Sequence, residues 1–158
     1  MADLPNLIIL IGIPGSGKSR WALNNPQYYR VCPDEIRKSF GDISDQSNNS
    51  IVWAITKGMV KAALELHHNV VLDATNVNTT YRRKFYEDLP LHKRHAKVFE
   101  IDPEVATKRI HKDIVSSLKR ADVPELFIYR KYGEFLYSVR YLFKENFESI
   151  IDIAQESF

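Results

Sequence analysis

The sequence predicts a three-layer α/β sandwich around a parallel sheet of about five strands. Three observations predict it. Short β-branched and apolar runs alternate with longer stretches of helical periodicity, as in repeated βαβ units. The first such run, Leu7 to Ile11, is apolar at every position, as expected of a strand covered on both faces. No internal repeat, low-complexity tract or linker interrupts the 158 residues, a length that fits one domain spanning 1–158.

The elements follow in order. After the strand at Leu7 comes a glycine-rich turn. A helix should begin near Lys18 and stop at Asn24-Asn25-Pro26. Tyr29 to Cys32 reads as a second short strand, with a helix from Glu35. Gly41 to Ser50 is polar and loop-like. Ile51 to His67 reads as a long helix whose apolar side carries Ile51, Ile55, Met59, Ala62, Ala63 and Leu66. Val70 to Leu72 is the third strand, Arg82 to Leu89 a helix, and Lys97 to Ile101 the fourth strand. Pro103 and Pro124 each open a helix, since proline is tolerated in a first turn. Ser116 to Val123 between them is a break rich in Lys and Arg, and Ser149 to Ile153 is the fifth strand.

Composition narrows the functional classes. Hydrophobic residues make 44% of the chain and charged residues 27%, the balance of a soluble globular domain with its own core. The net charge of +2 permits a polyanionic substrate without demanding one. Cys32 is the single cysteine, so no internal disulfide can form, which fits a reducing cytoplasm. No apolar run approaches the roughly 20 residues of a membrane span, and no basic leader precedes the first strand.

One motif carries chemistry directly. Gly12-Ile13-Pro14-Gly15-Ser16-Gly17-Lys18-Ser19 follows a strand and opens a helix, the context that G-x-x-x-x-G-K-[ST] requires of a P-loop. Its glycines let the backbone approach phosphates, and its N–H groups form an anion-binding nest. Lys18 then reaches the β and γ phosphates of ATP, and Ser19 offers a hydroxyl to Mg2+. Without ligand, Lys18 is expected to lie exposed in the loop. The bland reading is a glycine-rich turn that happens to end in Lys-Ser; the flanking strand and helix argue against it.

The acceptor side is less direct. Phosphoryl transfer needs an in-line acceptor, charge neutralisation and often a carboxylate to take the hydroxyl proton. Asp34 sits just past the second strand, at the edge where ligands bind in such sheets. Arg37 lies one helical turn on, so both can face one cleft. Aspartate there reads equally as a helix N-cap, and Arg37 as a solvated surface residue. Asp73 ends the third strand, followed by Thr75 and Asn76; a turn is the alternative. Arg82 and Arg83 open the next helix, where a bound anion would make cations sensible and a solvated face is the alternative.

These blocks together resemble a known family. The stretch from Gly12 to Ala22 resembles the opening of the kinase domain of phage-type polynucleotide 5′-hydroxyl kinases. Pro33-Asp34-Glu35-Ile36-Arg37 lies where that family carries a general-base aspartate and a substrate-phosphate arginine. Asp73-Ala74-Thr75-Asn76-Val77-Asn78, followed by Arg82-Arg83, resembles its Asp-x-Thr-Asn block, and Val123-Pro124 the pair that opens the helix after its lid. The resemblance runs from Leu7 to about Phe143. It implies that Asp34 deprotonates the 5′-hydroxyl, Arg37 holds the adjacent phosphate, and Asp73 orients Arg37 or the acceptor. It also implies a helical lid near residues 109–124 and a lid arginine that stabilises the transferring phosphoryl. Arg109 matches a family arginine, but Lys112-Asp113 stands where the lid arginine should follow, which leaves Arg120 as the nearest basic candidate. No phosphatase block follows, so 3′-end processing is not expected of this chain.

The expected function is therefore ATP- and Mg2+-dependent phosphorylation of a nucleic acid 5′ end. A small-molecule kinase for a nucleoside, nucleotide or related metabolite is one alternative, and an ATP-binding regulatory module with slow hydrolysis is another. His67-His68 and His92 with His95 lack the spacing of a zinc site and read as surface residues. The aromatic series from Phe127 to Phe143 could stack bases, but helical spacing favours core packing for most of it. Lys93, Arg94 and Lys97 read as a solvated basic stretch.

Overall fold

A run such as Leu7 to Ile11 has no polar face to offer water, so it must be covered on both sides. In the computed structural model, which describes residues 3–43, 45–116 and 123–154, it forms β1 (Asn6–Ile11) at the centre of the sheet. The chain continues through α1 (Lys18–Leu23), β2 (Tyr29–Val31), α2 (Pro33–Lys38), α3 (Asn49–Glu65) and β3 (Val70–Leu72). It then forms α4 (Thr79–Tyr86), β4 (Lys93–Val98), α5 (Pro103–Val115), α6 (Glu125–Val139), a 3-10 turn at Leu142–Lys144 and β5 (Ser149–Asp152). The five strands are all parallel, in the order β2-β3-β1-β4-β5. The predicted three-layer architecture and strand number hold.

β1 alternates between two apolar layers. Leu7, Ile9 and Ile11 pack with Val60 and Leu64 of α3, Ile110 of α5, and Ile128 and Phe135 of α6. Ile8 and Leu10 face the opposite layer with Ala22, Val71 and Phe99, under Trp21 and Tyr28. Each fully buried Leu or Ile contributes about 1.5–3 kcal/mol by leaving water. Among the described residues no helix is long and apolar enough to cross a membrane.

Three sequence expectations are corrected. The fourth strand is Lys93–Val98, four residues earlier than expected. Its backbone pairs with β1 and β5, and its polar side chains find local partners. Arg94 lies 3.6 Å over the Tyr86 ring, and His95 bonds Ser149 Oγ at 2.8 Å and Asn6 Oδ1 at 2.9 Å. The buried side of α3 is Val52, Thr56, Val60, Ala63 and Leu64, while Ile51, Ile55 and Leu66 are exposed. The aromatic series on and after α6 is only partly core: Phe135 is buried, whereas Tyr129, Tyr137 and Phe143 are exposed.

Arg82, read from sequence as an anion-facing or solvated residue, is instead buried. Its Nε donates to Glu145 Oε1 at 2.9 Å, its Nη2 pairs with Glu145 Oε2, and its Nη1 donates to Ser138 Oγ at 2.7 Å and the Asn76 carbonyl at 2.5 Å. One guanidinium thus joins α4, the loop after β3, α6 and the 3-10 turn. Arg82→Met would leave the Glu145 carboxylate charged in the interior. Unfolding in urea should show a loss of about 3–5 kcal/mol; a loss under about 1 kcal/mol, the range of a surface pair, would contradict this role.

Candidate active site

In a parallel sheet every strand ends at the same edge, so the loops after β1, β2, β3 and β4 meet there. The glycine-rich turn after β1 is held in shape by its neighbours. Gly15 and Gly17 have φ of +84° and +97°, a region costly for any residue with a side chain. A Cβ on Gly15 would also meet the Ala106 carbonyl oxygen at 2.7 Å, so α5 abuts the turn. The Gly12 N–H donates to the Thr75 carbonyl at 3.0 Å, tying the turn to the loop after β3.

Lys18 differs from expectation: it is only 8% exposed. Its Nζ donates to the Ile13 carbonyl at 2.8 Å and to Ser16 Oγ at 3.3 Å, so the ammonium folds back over the turn. Ser19 and Arg20 follow, both exposed, in the first turn of α1. Arg109 on α5 reaches across, and its Nη1 donates to the Gly15 carbonyl at 3.4 Å. Burial, and then the charge of nearby Arg20, push the Arg109 guanidinium below its ordinary value, with Asp113 opposing. Lys18, Arg20 and Arg109 thus gather cationic groups around a cradle of backbone N–H groups, and an anion there would relieve their repulsion. The donor set suits a nucleotide triphosphate with Mg2+: small residues where phosphates pass, cations for their charge, and the Ser19 hydroxyl as a hard oxygen ligand.

On the acceptor side, the first turn of α2 decides between two readings of Asp34. The cap position is Cys32, with Pro33 next, and no side chain caps the helix. Asp34 therefore stands inside the first turn, and its Oδ1 accepts from Arg37 Nη1 rather than from a backbone amide. Its side chain is 59% exposed, open to an incoming group. Arg37 is not on a solvated face. It is 6% exposed, its Nη2 donates to Asn49 Oδ1 at 3.0 Å, and its buried Nε has no hydrogen-bond partner. The pair thus joins an exposed carboxylate to a buried guanidinium with donor capacity left over.

Asp73 is 3% exposed, and its Oδ2 accepts from Arg30 Nε at 2.9 Å and Nη2 at 2.7 Å. Burial alone would lower the Arg30 guanidinium, but Asp73, with Cys32 and Glu35, outweighs it and raises it above its usual value. Of the two roles the resemblance implies for Asp73, orienting Arg37 or the acceptor, no bond to Arg37 is formed among the described residues; Arg37 bonds Asp34 and Asn49. Burial, and then Asp73, push the Cys32 thiol up to about 11, so it is an unreactive core group. Arg120 and most of the basic break before Val123 lie outside the described residues.

Arg30 and Asn49 were not anticipated as supports of this edge, and Asn76 was placed there only as a polar group. Asn76, at φ +49°, bonds the Leu10 carbonyl at 2.7 Å and so clamps the loop after β3 onto β1. The Asp-x-Thr-Asn spacing was its only signal. Arg30 depends on the register between β2 and β3, where Val31 stands opposite Leu72, and no local pattern encodes that.

A family profile described as AAA domain matches residues 7–128. Among solved structures, a chain of the Pnkp1/Rnl/Hen1 RNA repair complex is similar at 26% identity and a TM-score of 0.78, over 89% of this chain and 47% of that one. A second Pnkp1/Rnl/Hen1 complex gives 30% identity and a TM-score of 0.59, over 69% of this chain and 40% of that one. The chain thus spans less than half the length of both. A gluconokinase from Sinorhizobium meliloti 1021 shares the fold at 18% identity and a TM-score of 0.57, covering 98% of this chain and 86% of its own. No curated protein matches the chain.

Proposed function

The chain belongs to the AAA-domain family with a P-loop kinase-like fold, and from that premise we propose that it transfers the γ-phosphoryl of ATP to the 5′-hydroxyl of a polynucleotide. The observation that carries the proposal is the Asp34–Arg37 pair: an exposed carboxylate at the sheet edge, bonded to a buried guanidinium that Asn49 steadies and whose Nε is unpaired. The likeness to a chain of an RNA repair complex supports the same reading.

Each residue then has a task. The loop from Gly12 to Ser19, through the N–H groups of Gly15, Gly17, Lys18 and Ser19, holds and orients the triphosphate with the Lys18 ammonium and Arg109, and Ser19 supplies a hydroxyl oxygen to Mg2+. When bound, the metal neutralises charge on the phosphate oxygens. Asp34 accepts the proton of the 5′-hydroxyl as that oxygen attacks the γ-phosphorus in line, and the bond from that phosphorus to the β–γ bridging oxygen breaks to release ADP. Arg37 grips the phosphate next to the acceptor nucleotide. Asp73, fixed by Arg30, keeps the acidic end of β3 rigid beside them. Arg120 is the proposed source of charge stabilisation on the transferring group, from a lid spanning residues 109–124.

The test is transfer of labelled γ-phosphate to 5′-hydroxyl oligonucleotides, nucleosides, nucleotides and sugars. Oligonucleotides should be labelled best. Label on small metabolites alone would overturn the polynucleotide reading, and ATP hydrolysis without transfer to any acceptor would make the chain a regulatory module. A second prediction isolates Arg37. A planar guanidinium holds a phosphate through two hydrogen bonds, whereas lysine offers a point charge. Arg37→Lys should therefore lower kcat/KM for a nucleoside 3′-phosphate by roughly 10–100-fold, while the plain nucleoside, already poor, changes little. A native enzyme indifferent to the 3′-phosphate would contradict this role.

A further inference from the structure

A groove of about 520 Å³ lies between α3 and α4, apart from the P-loop. Its walls combine two kinds of side chain. Trp53, Tyr81 and Phe85 give aromatic surface, with Trp53 and Phe85 edge-to-face at 6.1 Å and Tyr81 74% exposed. Lys57, Lys61 and Lys84 give positive charge. Among the described residues none of these three lysines is ion-paired with a carboxylate. Asp88 is the groove's one acidic residue, near the far end of α4.

The groove runs along the helix whose first turn supports the acceptor site. Asn49, which holds Arg37, is the first residue of α3. Trp53, Lys57 and Lys61 follow at intervals of four along one side of that helix. Asn49 to Lys61 spans about 18 Å at ~1.5 Å per residue. That is room for about five stacked nucleotides at ~3.4 Å each. Gly58 forms part of the lining. Glycine inside a helix costs stability relative to alanine, yet a Cβ at Gly58 would meet nothing within 4 Å. The protein's own packing therefore does not require it, whereas a chain passing close to the helix backbone would.

We propose that this groove binds the single strand downstream of the phosphorylated 5′ end, its bases on Trp53 and Tyr81 and its phosphates on Lys57, Lys61 and Lys84. Aromatic faces beside cations suit a strand of bases and phosphates better than an acidic peptide, which offers charge without ring faces. The inference rests on the polynucleotide reading of the active site and names where the rest of that substrate lies.

The experiment compares a 5′-hydroxyl dinucleotide with a decanucleotide, by transfer kinetics and by fluorescence anisotropy, using the full chain. The native protein should prefer the decanucleotide. The Lys57→Ala, Lys61→Ala double variant should lose roughly tenfold in decanucleotide affinity and bind it with a shallower salt dependence. Its kcat/KM for the dinucleotide should be unchanged. Gly58→Ala should raise the melting temperature yet weaken decanucleotide binding, which separates ligand contact from folding. If the native protein labels oligonucleotides but the variants keep the length preference, the groove proposal falls and the active-site reading stands. If no oligonucleotide is labelled, both fall. Displacement of the decanucleotide by polyglutamate as effectively as by unlabelled DNA would also overturn the proposal, making the groove a site for acidic peptides.

Discussion

Asp34→Asn should lower kcat by roughly 10²–10⁴-fold, the usual contribution of a general base, with the melting temperature almost unchanged. The geometry makes this substitution discriminating. Cys32 occupies the cap position of α2, so Asp34 caps nothing that asparagine would have to replace. Its carboxylate is 59% exposed, so water screens much of its charge although its partner Arg37 is buried. Asparagine can still accept from the guanidinium, and Asn49 continues to hold Arg37. What disappears is the basicity of the carboxylate. ATP binding should survive, because Asp34 lies in the first turn of α2, after β2, rather than in the turn after β1. Turnover, ATP affinity and melting temperature measured on one preparation check the prediction; unchanged turnover would remove Asp34 from the chemistry.

Lys18→Ala should reduce transfer by roughly 10²–10³-fold, the cost of deleting a preorganised donor aimed at developing charge, and should weaken ATP binding. The structure also defines what the ammonium does at rest. It donates to the Ile13 carbonyl and to Ser16 Oγ, acceptors that it would exchange for phosphate oxygens. Removing it deletes polar contacts at the turn but touches neither apolar layer, so circular dichroism should show a folded protein. Lys18→Met keeps the aliphatic stem and controls for its packing at 8% exposure. Full activity in either folded variant would defeat the kinase reading.

What could be read in the sequence was what depends on local pattern. A fully apolar run between turns meant a central strand, a glycine-rich turn between strand and helix meant a phosphate cradle, and Asp34 with Arg37 one turn apart meant a shared face. What could not be read depended on partners distant in the chain. α3 offers two apolar stripes at helical spacing, and Thr56 counts against the one that is buried. Its hydroxyl donates to the Val52 carbonyl at 2.7 Å, and a satisfied hydroxyl can enter the core. β4 looks too polar for an inner strand because Arg94 and His95 find their partners on Tyr86, Asn6 and Ser149. Arg30 is unremarkable until β2 and β3 are in register, when it becomes the partner of Asp73.

The Arg82–Glu145 pair has a consequence for how the protein is made. The two residues are 63 positions apart. At a synthesis rate of about 5–20 residues per second, Arg82 is polymerised roughly 3–13 seconds before its counter-charge exists. During that interval α4 carries a cation that cannot be desolvated at low cost. The α4 layer is therefore held from closing until the chain has passed Glu145, so a segment made 63 residues later sets when α4 locks.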